Sequence, residues 1–421
     1  MINSKKMPTI GFFPGFFDIG ETYPLIKIAK RYQEFGGKVV IFSHGGEYEY
    51  LAKNNRFEII RLEPIASGPD LTRYFLKNND DDIIRLIKDH QSVFKINEIK
   101  ALVQTSSYLD CILAAMYGKI PVISVVSGTL STPYFKANHA TFPDNLESYF
   151  TMLIPQFIKN KITNWHTLHY KGPITKKFNR ITQKINLEKR FRYFQDIRMG
   201  NSTLISDDIN FLGVNPSKDF PADNFIGPIL SDELYLNQKS PDIEIKNHLK
   251  RPGKTILLTM GSSKIMKALF LQILEILNKT DYNVIATYTS LLKENEIPKC
   301  SENVMLIKFI SNILEINKLV DLAIIHGGRG TVYNAAYSGK PAVGVPLNGE
   351  QQFNLDNLVR RKAAIRVSKT FFDEKKLLNA IHQILDNYEN YLENSKALTK
   401  KLQKLDGGEK AAKRILEIVN N

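Results

Sequence analysis

The sequence predicts an α/β protein built from two doubly wound parallel sheets. Short apolar segments alternate with helical runs along most of the chain, a pattern typical of parallel strands covered by helices on both faces. At 421 residues the chain is long enough for two domains with complete cores. A polar stretch containing Pro241 and Pro252 separates the two halves. The predicted parts are an N-terminal domain at 1–228, a linker at 229–253, a C-terminal domain at 254–400 and a final helix at 401–421.

Eleven segments have the length and apolar content of buried strands. The helix expected at 108–117 ends at Gly118 and is followed by Pro121, which agrees with the usual signals for a helix C-terminus. The strands predicted for the N-terminal half are 9–13, 38–42, 58–62, 101–104, 122–126 and 202–206. Those predicted for the C-terminal half are 255–259, 283–287, 304–307, 322–325 and 342–345.

Composition argues against a disulfide-rich, metal-binding, membrane-spanning or secreted protein. Cys111 and Cys300 cannot form a disulfide framework and suit a reducing compartment, and the scattered histidines show no metal-site spacing. No segment approaches the roughly 20 apolar residues that span a bilayer. The apolar N-terminus is broken by proline and glycine and stops at Asp18, so it is a poor signal peptide. We therefore expect a cytoplasmic protein.

A glycine-rich turn follows the predicted strand 322–325. Its sequence is His326-Gly327-Gly328-Arg329-Gly330-Thr331, and a helical run comes after it. Glycines let backbone N–H groups approach a ligand, and a helix N-terminus carries roughly half a positive charge, so the turn is suited to phosphate. It is not the dinucleotide fingerprint GxGxxG, because Tyr333 stands where the third glycine would be. Glu350 and Gln351 follow the next strand and are placed to bind hydroxyls. Phosphate beside a polyol indicates a nucleotide-sugar.

The whole string resembles the donor-binding signature of family-1 glycosyltransferases, the UDP-glycosyltransferase superfamily of GT-B fold. The resemblance rests on His-Gly-Gly-x-Gly-Thr from His326, Gly-x-Pro from Gly339, and Pro-x-x-x-Glu-Gln-x-x-Asn from Pro346. Further segments resemble the family at 9–14, 20–24, 224–228 and 255–262. The resemblance implies two Rossmann-like domains facing a central cleft, with a C-terminal helix that crosses back to the first domain.

The resemblance also implies roles for residues of the C-terminal domain. Phe309 falls where the family flanks the nucleotide base, and Asn334 falls where the family has a glutamate that binds the ribose. Glu350 and Gln351 would contact the sugar hydroxyls. The residues implied at the diphosphate are Gly261, Ser262, His326, Gly328, Gly330 and Thr331. No cofactor or metal is expected, since Asp80-Asp81-Asp82 is typical of a helix N-terminus rather than of an Asp-x-Asp metal motif.

The catalytic residues of the family are not present at the matching positions. Where the family has Gly-His-x-x-Pro, this chain has Gly20-Glu21-x-x-Pro24, and the supporting aspartate would fall near Gln104 or Thr105. A carboxylate can remove the acceptor proton if it is close and partly desolvated. We predict Glu21 as the base and Asp18 as the second candidate. An acidic acceptor, such as a phosphate, would need no base.

The net charge of +14 is concentrated between 159 and 198. Three interpretations remain open: a surface for anionic lipid or an anionic acceptor, a nucleic-acid surface, and an ordinary solvated face. No nucleic-acid motif accompanies the charge. A second His-Gly-Gly at His44 is followed by Glu47 and Glu49, which disfavours phosphate there. The basic residues of this segment are Lys159, Lys161, Lys171, Lys176, Lys177, Arg180, Lys184, Lys189, Arg190, Arg192 and Arg198.

The predicted function is inverting transfer of a hexose from a UDP- or dTDP-sugar to a hydroxyl or anionic acceptor, without a metal. The acceptor is a small molecule or is lipid-linked and met at the inner face of a membrane, and no nucleic acid is bound. Two alternatives remain. One is a GT-B sugar-nucleotide epimerase or hydrolase; the other is a non-catalytic partner subunit that binds nucleotide-sugars. Fold alone does not decide among them.

Overall fold

The computed structural model describes residues 7–17, 19–66, 68–105, 108–230, 242–261, 264–288, 291–402 and 406–420. The strands are β1 (Thr9–Phe13), β2 (Lys38–Ser43), β3 (Ile59–Arg61), β4 (Ile99–Gln104), β5 (Val122–Val126), β6 (Ser202–Ile205), β7 (Thr255–Thr259), β8 (Asn283–Thr287), β9 (Val304–Ile307), β10 (Leu322–Ile325), β11 (Ala342–Gly344) and β12 (Ala364–Arg366).

The α-helices complete the alternating pattern that the sequence predicts. They are α1 (Ile19–Glu34), α2 (Glu49–Asn54), α3 (Gly68–Lys77), α4 (Asp80–Ile96), α5 (Leu109–Tyr117), α6 (Thr132–Lys136), α7 (Tyr149–Met152), α8 (Gln156–His169), α9 (Pro173–Lys184), α10 (Phe194–Arg198), α11 (Ile209–Leu212), α12 (Asp242–His248), α13 (Lys267–Leu277), α14 (Ile313–Leu319), α15 (Arg329–Ser338), α16 (Gly349–Val359), α17 (Glu374–Asp386), α18 (Tyr388–Lys401) and α19 (Gly407–Asn420).

The chain divides into two compact units. Unit 1 comprises Met1–Ala137, Trp165–Leu230 and Lys404–Asn421, and unit 2 comprises Asn138–Asn164 and Ser231–Gln403. Each unit contains a six-stranded parallel sheet, with strand orders β3-β2-β1-β4-β5-β6 and β12-β11-β10-β7-β8-β9. The predicted α/β class with two doubly wound parallel sheets is therefore confirmed. Every residue of β1, β5, β7, β8 and β10 is buried, as expected when helices cover both faces of a parallel sheet.

The core of unit 1 lies between its sheet and the helices packed on it. Phe42 and Phe94 meet there with ring centroids 4.9 Å apart. Helix α19 belongs to this unit and packs against α1, where Arg31 forms an ion pair of 2.6 Å with Asp406. Lys410 donates a hydrogen bond of 2.8 Å to the carbonyl of Phe225, so the far end of the chain is attached beside β6.

The core of unit 2 has the same construction. Apolar residues of β7, β8 and β10 pack with helix α13, in which Leu269, Phe270 and Ile273 are buried. The edge strand β12 was missed by the sequence prediction because it has three residues and its arginine side chain enters a polar network. The second half of the predicted linker at 229–253 contains α12, a helix whose Ile245 is fully buried in unit 2.

Residues 138–164 lie within the range 1–228 predicted for the N-terminal domain, but they group with unit 2. A polar network explains the difference. The Gln352 side chain accepts a hydrogen bond from the Asp144 N–H at 2.8 Å and donates to the Thr141 hydroxyl at 2.6 Å. Thr141 in turn donates to Asp356 at 2.6 Å, and Arg366 pairs with both Asp144 and Asp356. These bonds fasten the segment to α16 and β12.

Candidate functional site

The order of strands in unit 2 defines where a ligand would bind. The chain runs from β7 outward through β8 and β9, then returns to β10 on the other side of β7, so the strand order reverses between β7 and β10. Ligands of open α/β sheets bind at such a reversal, beyond the carboxyl ends of the strands. Gly261 follows β7 and His326 follows β10, which places both residues at this point.

Glycines enclose the His326 ring. A Cβ atom added to Gly261 would lie 2.6 Å from the ring, and one added to Gly328 would lie 2.2 Å from it, so only glycine fits at either position. Burial lowers the pKa of His326 to about 4, and the ring is therefore neutral at pH 7. No described residue offers a hydrogen-bond partner to its Nδ1 atom. A neutral ring with one uncommitted nitrogen can still take part in a hydrogen bond with a ligand.

The N-terminus of α15 is open. Gly328 is its N-cap residue and has no side chain to cap the helix, and a Cβ atom on Gly330 would meet nothing within 4 Å. The Thr331 hydroxyl donates to the Gly328 carbonyl at 2.9 Å, which holds the first turn in shape. The first N–H groups of a helix have no partner within the helix and attract an anion. The space above Gly330 is therefore suited to a phosphate group.

Asn334 lies one helical turn after Gly330 on α15 and is buried. No described residue bonds to its side-chain oxygen Oδ1. An orphaned amide oxygen in a buried position is costly unless a ligand or water satisfies it. This observation agrees with the predicted contact to a ribose hydroxyl, which would donate to the oxygen.

The N-terminus of α16 carries the residues predicted to bind the sugar. Asn348 caps the helix by accepting from the Gln351 N–H at 3.0 Å. The side-chain oxygen of Gln351 accepts from the Leu347 N–H at 2.8 Å, so its amide group is fixed with its two N–H bonds left to donate. Glu350 is exposed in the first turn of α16. One fixed donor and one carboxylate acceptor are suited to hydroxyl groups.

Phe309 follows β9 and is half-buried. Strand β9 is two places from β7 in the sheet, about 10 Å at the usual strand spacing. That separation is compatible with a base held away from the phosphates. Ser262, also predicted at the diphosphate, lies outside the described residues. The roles assigned to all these donor-site residues remain predictions.

Unit 1 has its own strand reversal, between β1 and β4. A cavity of about 340 Å³ opens beside the carboxyl ends of these strands. Glu21 lines it from the first turn of α1, and a Cβ atom on Gly15 would lie 2.5 Å from Glu21 Oε2 and 2.6 Å from the Tyr108 hydroxyl. The cavity also has a cationic lining residue, Arg198. Its apolar lining residues include Leu71, Phe75, Ile83, Leu86, Leu130, Ile174 and Phe194.

Glu21 is thus placed where a base for an acceptor would be needed, although its catalytic role remains a prediction. Asp18, the second candidate, lies outside the described residues. The side chain of Gln104 and that of Thr105 each have a buried oxygen to which no described residue bonds. Thr105 lines the cavity, and the resemblance implies that the family's aspartate would fall near Gln104 or Thr105.

A buried polar cluster that the sequence did not reveal lies in the same unit. Asp110 Oδ2 is 3.2 Å from His44 Nε2 and 3.5 Å from His90 Nδ1, and Cys111 Sγ is 3.9 Å from all three atoms. Burial is the largest single influence and favours the neutral acid, but the hydrogen bond to His44 and the charges of both histidines together outweigh it and lower the pKa of Asp110 to about 2. Burial opposes the charged form of His44, but its hydrogen bond to Asp110, the Asp110 charge and backbone hydrogen bonds together raise its pKa, whereas burial lowers the pKa of His90. A histidine–aspartate pair is therefore present, at positions other than those of the family motif.

Part of the chain is similar in sequence to known glycosyltransferases. A sequence profile of the glycosyltransferase family 28 C-terminal domain matches residues 255–413. The chain is 27% identical over 196 residues to the uncharacterized UDP-glucosyltransferase YojK of Bacillus subtilis (strain 168). That match covers 46% of this chain and 46% of YojK, so it spans less than half of the relative.

Solved structures resemble the whole chain. The calicheamicin glycosyltransferase CalG4 has a TM-score of 0.68 at 14% identity, covering 99% of this chain and 99% of its own. The glycosyltransferase VinC in complex with dTDP has a TM-score of 0.60 at 13% identity, covering 98% of this chain and 100% of its own. The chain has the GT-B fold of these glycosyltransferases, and its C-terminal part resembles glycosyltransferases in sequence. The resemblance predicted from the sequence is confirmed, and so is the GT-B fold.

Several cations of the basic segment have structural roles. Lys159 is buried and pairs with Glu147 at 2.5 Å. Lys177 is buried and donates to the carbonyls of Leu76 and Asn78. Arg180 and Lys184 both pair with Asp80, at 2.7 and 3.0 Å. Lys159 and Lys177 of the basic segment are therefore internal, and Arg180 and Lys184 are paired at the surface, a distinction that the sequence does not show.

Large apolar side chains are exposed along α7 and α8. Tyr149, Phe150 and Leu153 are each more than 80% exposed, in and just after α7. Phe157 and Ile162 continue the exposed apolar series along α8. Large apolar side chains that are exposed together mark a surface for a partner or a membrane. Within the described residues, no helix is long and apolar enough to cross a membrane.

Proposed function

We propose that the chain is an inverting glycosyltransferase that moves a hexose from a UDP- or dTDP-sugar to a hydroxyl or anionic acceptor. The observation that carries the proposal is the strand reversal of unit 2. There, an uncommitted His326 nitrogen and the open N-terminus of α15 come together at the turn that matches the family's donor signature. An anion bound at such a turn meets N–H donors and the positive end of the helix dipole.

The proposed donor is a nucleotide-sugar of the UDP or dTDP type. VinC was solved with dTDP, and YojK is named a UDP-glucosyltransferase, so both nucleotides occur among similar proteins. The diphosphate would bind at His326, Gly328 and Gly330, and Thr331 would shape the turn. The ribose would satisfy the orphaned oxygen of Asn334. The sugar hydroxyls would bind Glu350 and the fixed amide of Gln351.

Departure of the nucleotide requires that the diphosphate charge be stabilised as the glycosidic bond breaks. The N–H groups at the start of α15 would supply this stabilisation without a metal at the donor site, aided by a hydrogen bond from His326. Preorganised donors of this kind are worth about 10²–10³-fold in rate where one has been removed from an enzyme. Because burial keeps His326 neutral, its contribution in the free chain is a hydrogen bond rather than a full charge.

Glu21 is the proposed base. It would accept the proton of the acceptor hydroxyl as the oxygen attacks the anomeric carbon, and the bond from that carbon to the diphosphate oxygen would break on the opposite face. Inversion follows from this single displacement. Asp110 also lines the cavity but is a weaker candidate, since its pKa is about 2 and its Oδ2 atom faces two imidazoles. A carboxylate that holds its negative charge so firmly is a poor proton acceptor.

The proposed acceptor has an apolar body that carries a hydroxyl or an anionic group. The apolar lining of the unit 1 cavity supports the apolar body, and Arg198 supports an anionic group. We extend the proposal to lipid-linked acceptors, met in the cytoplasm at an anionic membrane surface. The exposed aromatic and aliphatic side chains of α7 and α8 support this extension, since such groups insert at membrane interfaces.

The reaction can be tested with purified full-length protein, labelled UDP- or dTDP-hexoses, and acceptors that begin with amphiphilic alcohols and lipid phosphates. Transfer that yields a product of inverted anomeric configuration supports the proposal. Release of nucleotide without acceptor would instead indicate a hydrolase, and a changed sugar an epimerase. Donor binding without any turnover would identify the non-catalytic alternative.

The membrane extension needs a separate test, sedimentation with vesicles of phosphatidylglycerol and phosphatidylcholine. We expect Phe150→Ser combined with Leu153→Ser to abolish cosedimentation. Ile96→Ser is a suitable control, because Ile96 is an 80% exposed apolar side chain on α4. Equal binding by the double variant and the wild type would contradict a membrane role for this surface.

A further inference from the structure

Four side chains of unit 1 that the proposed reaction does not use converge on one point. His44 follows β2, His90 lies on α4, and Asp110 and Cys111 lie in the first turn of α5. All four are buried. His44, Asp110 and Cys111 each place a possible ligand atom within 4.8 Å of the others. His90 Nδ1 approaches the same carboxylate and thiol at 3.5 and 3.9 Å.

The outer nitrogen of each histidine fixes its orientation. His44 Nδ1 is 2.9 Å from the Leu62 carbonyl oxygen, and His90 Nε2 is 2.9 Å from the Glu63 carbonyl oxygen. A carbonyl oxygen only accepts, so these two nitrogens must donate. In a neutral ring the remaining nitrogen then carries a lone pair, and both lone pairs face Asp110. Metal-binding histidines are commonly held in this way, with the outer N–H on a carbonyl.

Electrostatics requires positive charge at the centre of the cluster. Two lone pairs aimed at a buried carboxylate repel it unless a cation lies between them. One proton on His44 satisfies the contact of 3.2 Å to Asp110 but leaves the His90 lone pair facing the same oxygen at 3.5 Å. A divalent cation would satisfy the His44 lone pair, the carboxylate and the Cys111 thiolate together, and would offset the negative charge that faces His90. With one carboxylate and one thiolate as ligands, the site would be electrically neutral.

The distances among His44, Asp110 and Cys111 agree with three corners of a tetrahedral site. Bonds of about 2.0–2.1 Å to nitrogen or oxygen and about 2.3 Å to sulfur give ligand separations of roughly 3.3 Å between N or O atoms and roughly 3.6 Å to sulfur. The separations here are 3.2 Å from Asp110 Oδ2 to His44 Nε2, and 3.9 Å from Cys111 Sγ to each of these two atoms. His90 is not in the group whose ligand atoms all lie within 4.8 Å of one another, so it stands beside the site and not in it. Closing the sulfur onto a metal requires movement of only a few tenths of an ångström.

We propose that His44, Asp110 and Cys111 hold a zinc-type divalent cation. Binding would displace the Cys111 thiol proton to solvent and replace the thiol hydrogen bond to Asp110 with metal–ligand bonds. Three protein ligands leave the fourth tetrahedral position to a water molecule. The cation would join the end of β2 to the start of α5, behind the cavity that Asp110 and Tyr108 line, with His90 of α4 beside it. The proposal does not depend on the proposed transfer reaction.

The test begins with the wild-type protein, purified under reducing conditions, depleted with a chelator and titrated with Zn²⁺ or Co²⁺. We expect binding of about one equivalent of Zn²⁺, with a higher melting temperature than the depleted protein has. Co²⁺ should produce the visible d–d bands of tetrahedral coordination and a thiolate charge-transfer band in the near ultraviolet. No uptake of either ion at a buried site, or octahedral Co²⁺ without thiolate character, would overturn the proposal.

Substitutions then locate the site. His44→Asn and His90→Gln preserve the amide donor to each carbonyl but remove the inner nitrogen, and Cys111→Ser removes the sulfur. His44→Asn and Cys111→Ser should each weaken Zn²⁺ binding at least tenfold, His90→Gln should weaken it less, and Cys111→Ser should also eliminate the charge-transfer band. Cys300→Ser is the matched control, since Cys300 is the second free cysteine and lies in unit 2. Unchanged metal affinity in the three variants, or loss of the band in Cys300→Ser, would place the metal elsewhere and refute the assignment.

Discussion

The two units have the same sheet topology and place their sites at the same kind of strand reversal, yet the sites are built differently. The unit 2 site comes from short, nearly continuous runs at 326–334 and 348–351, with glycines that open the backbone to a ligand. The unit 1 site draws on residues dispersed from Glu21 to Arg198 and is a cavity lined by side chains. A diphosphate is a constant ligand that backbone groups recognise, whereas an acceptor is matched by shape. Under the proposed function, binding of the donor diphosphate is the part of the reaction that members of a family share, and binding of the acceptor is the part that varies among them.

The largest effect should come from removing the proposed base in unit 1. Glu21→Gln keeps the shape of the side chain but cannot accept a proton, so we expect kcat to fall by about 10²–10⁴-fold, the usual contribution of a general base. Donor affinity, measured by calorimetry, should stay the same. Glu47→Gln is the control, because Glu47 is an exposed acid of the same unit. Full activity in Glu21→Gln would remove this residue from the mechanism and favour an acidic acceptor.

The next effect concerns the phosphate site in unit 2. His326→Ala removes a hydrogen bond to a charged group, worth about 1.5–3 kcal/mol, so the Kd for the nucleotide-sugar should rise roughly 10–100-fold. The control is His382→Ala, an exposed histidine of α17. Acceptor binding should be unaffected, because the proposed acceptor cavity lies in unit 1 and His326 lies in unit 2. Donor affinity equal to that of the wild type would exclude His326 from the phosphate site.

Sugar recognition should be separable from nucleotide recognition. Glu350→Ala combined with Gln351→Ala removes the proposed hydroxyl contacts, and we expect about a tenfold rise in the Kd of the UDP-sugar with little change for free UDP. Isothermal titration with both ligands measures the difference. Because the Gln351 side chain also accepts from the Leu347 N–H, Glu350→Ala alone is needed as the variant that leaves the loop intact. Equal losses for UDP and UDP-sugar would contradict the hydroxyl role.

A pH titration of donor binding would test whether His326 becomes protonated when the diphosphate binds. The pKa of this residue is about 4 in the free chain, and a bound diphosphate would raise it by favouring the imidazolium. A ligand that raises a pKa binds more tightly as the pH falls, so the Kd for a UDP-sugar should be on the order of threefold lower at pH 5.5 than at pH 8. The dependence should vanish in His326→Asn. The same slope in that variant would assign the titration to another group.

The smallest effect should follow from restoring the family's acidic residue. Asn334→Glu gives the ribose a charged acceptor in place of a neutral one, and we expect roughly threefold tighter binding of UDP. The 2′,3′-dideoxy analogue of UDP should gain nothing, because it lacks both hydroxyls. A gain shared by both ligands would mean that the substitution acts on the helix rather than on the ribose.

Sequence patterns reveal the residues of the unit 2 turn more readily than those of the unit 1 cavity, for a physical reason. The turn from His326 to Thr331 and the cap at Asn348 are local structures, so their residues are adjacent in sequence and in space. The cluster of His44, His90, Asp110 and Cys111 depends on how β2, α4 and α5 pack, and no spacing in the sequence shows it. The segment 138–164 joins unit 2 through side-chain bonds of Thr141 and Asp144, which likewise leave no periodic pattern.

The central claim is that unit 2 binds a nucleoside diphosphate sugar at the His326 turn. The most direct measurement is calorimetric titration of the full-length protein, and of His326→Ala, with UDP, dTDP, GDP and their common hexose conjugates. The account predicts micromolar binding of a UDP- or dTDP-hexose to the wild-type protein that is at least tenfold weaker in the variant. Absence of binding to all these ligands, or affinity that is equal in the two proteins, would contradict it.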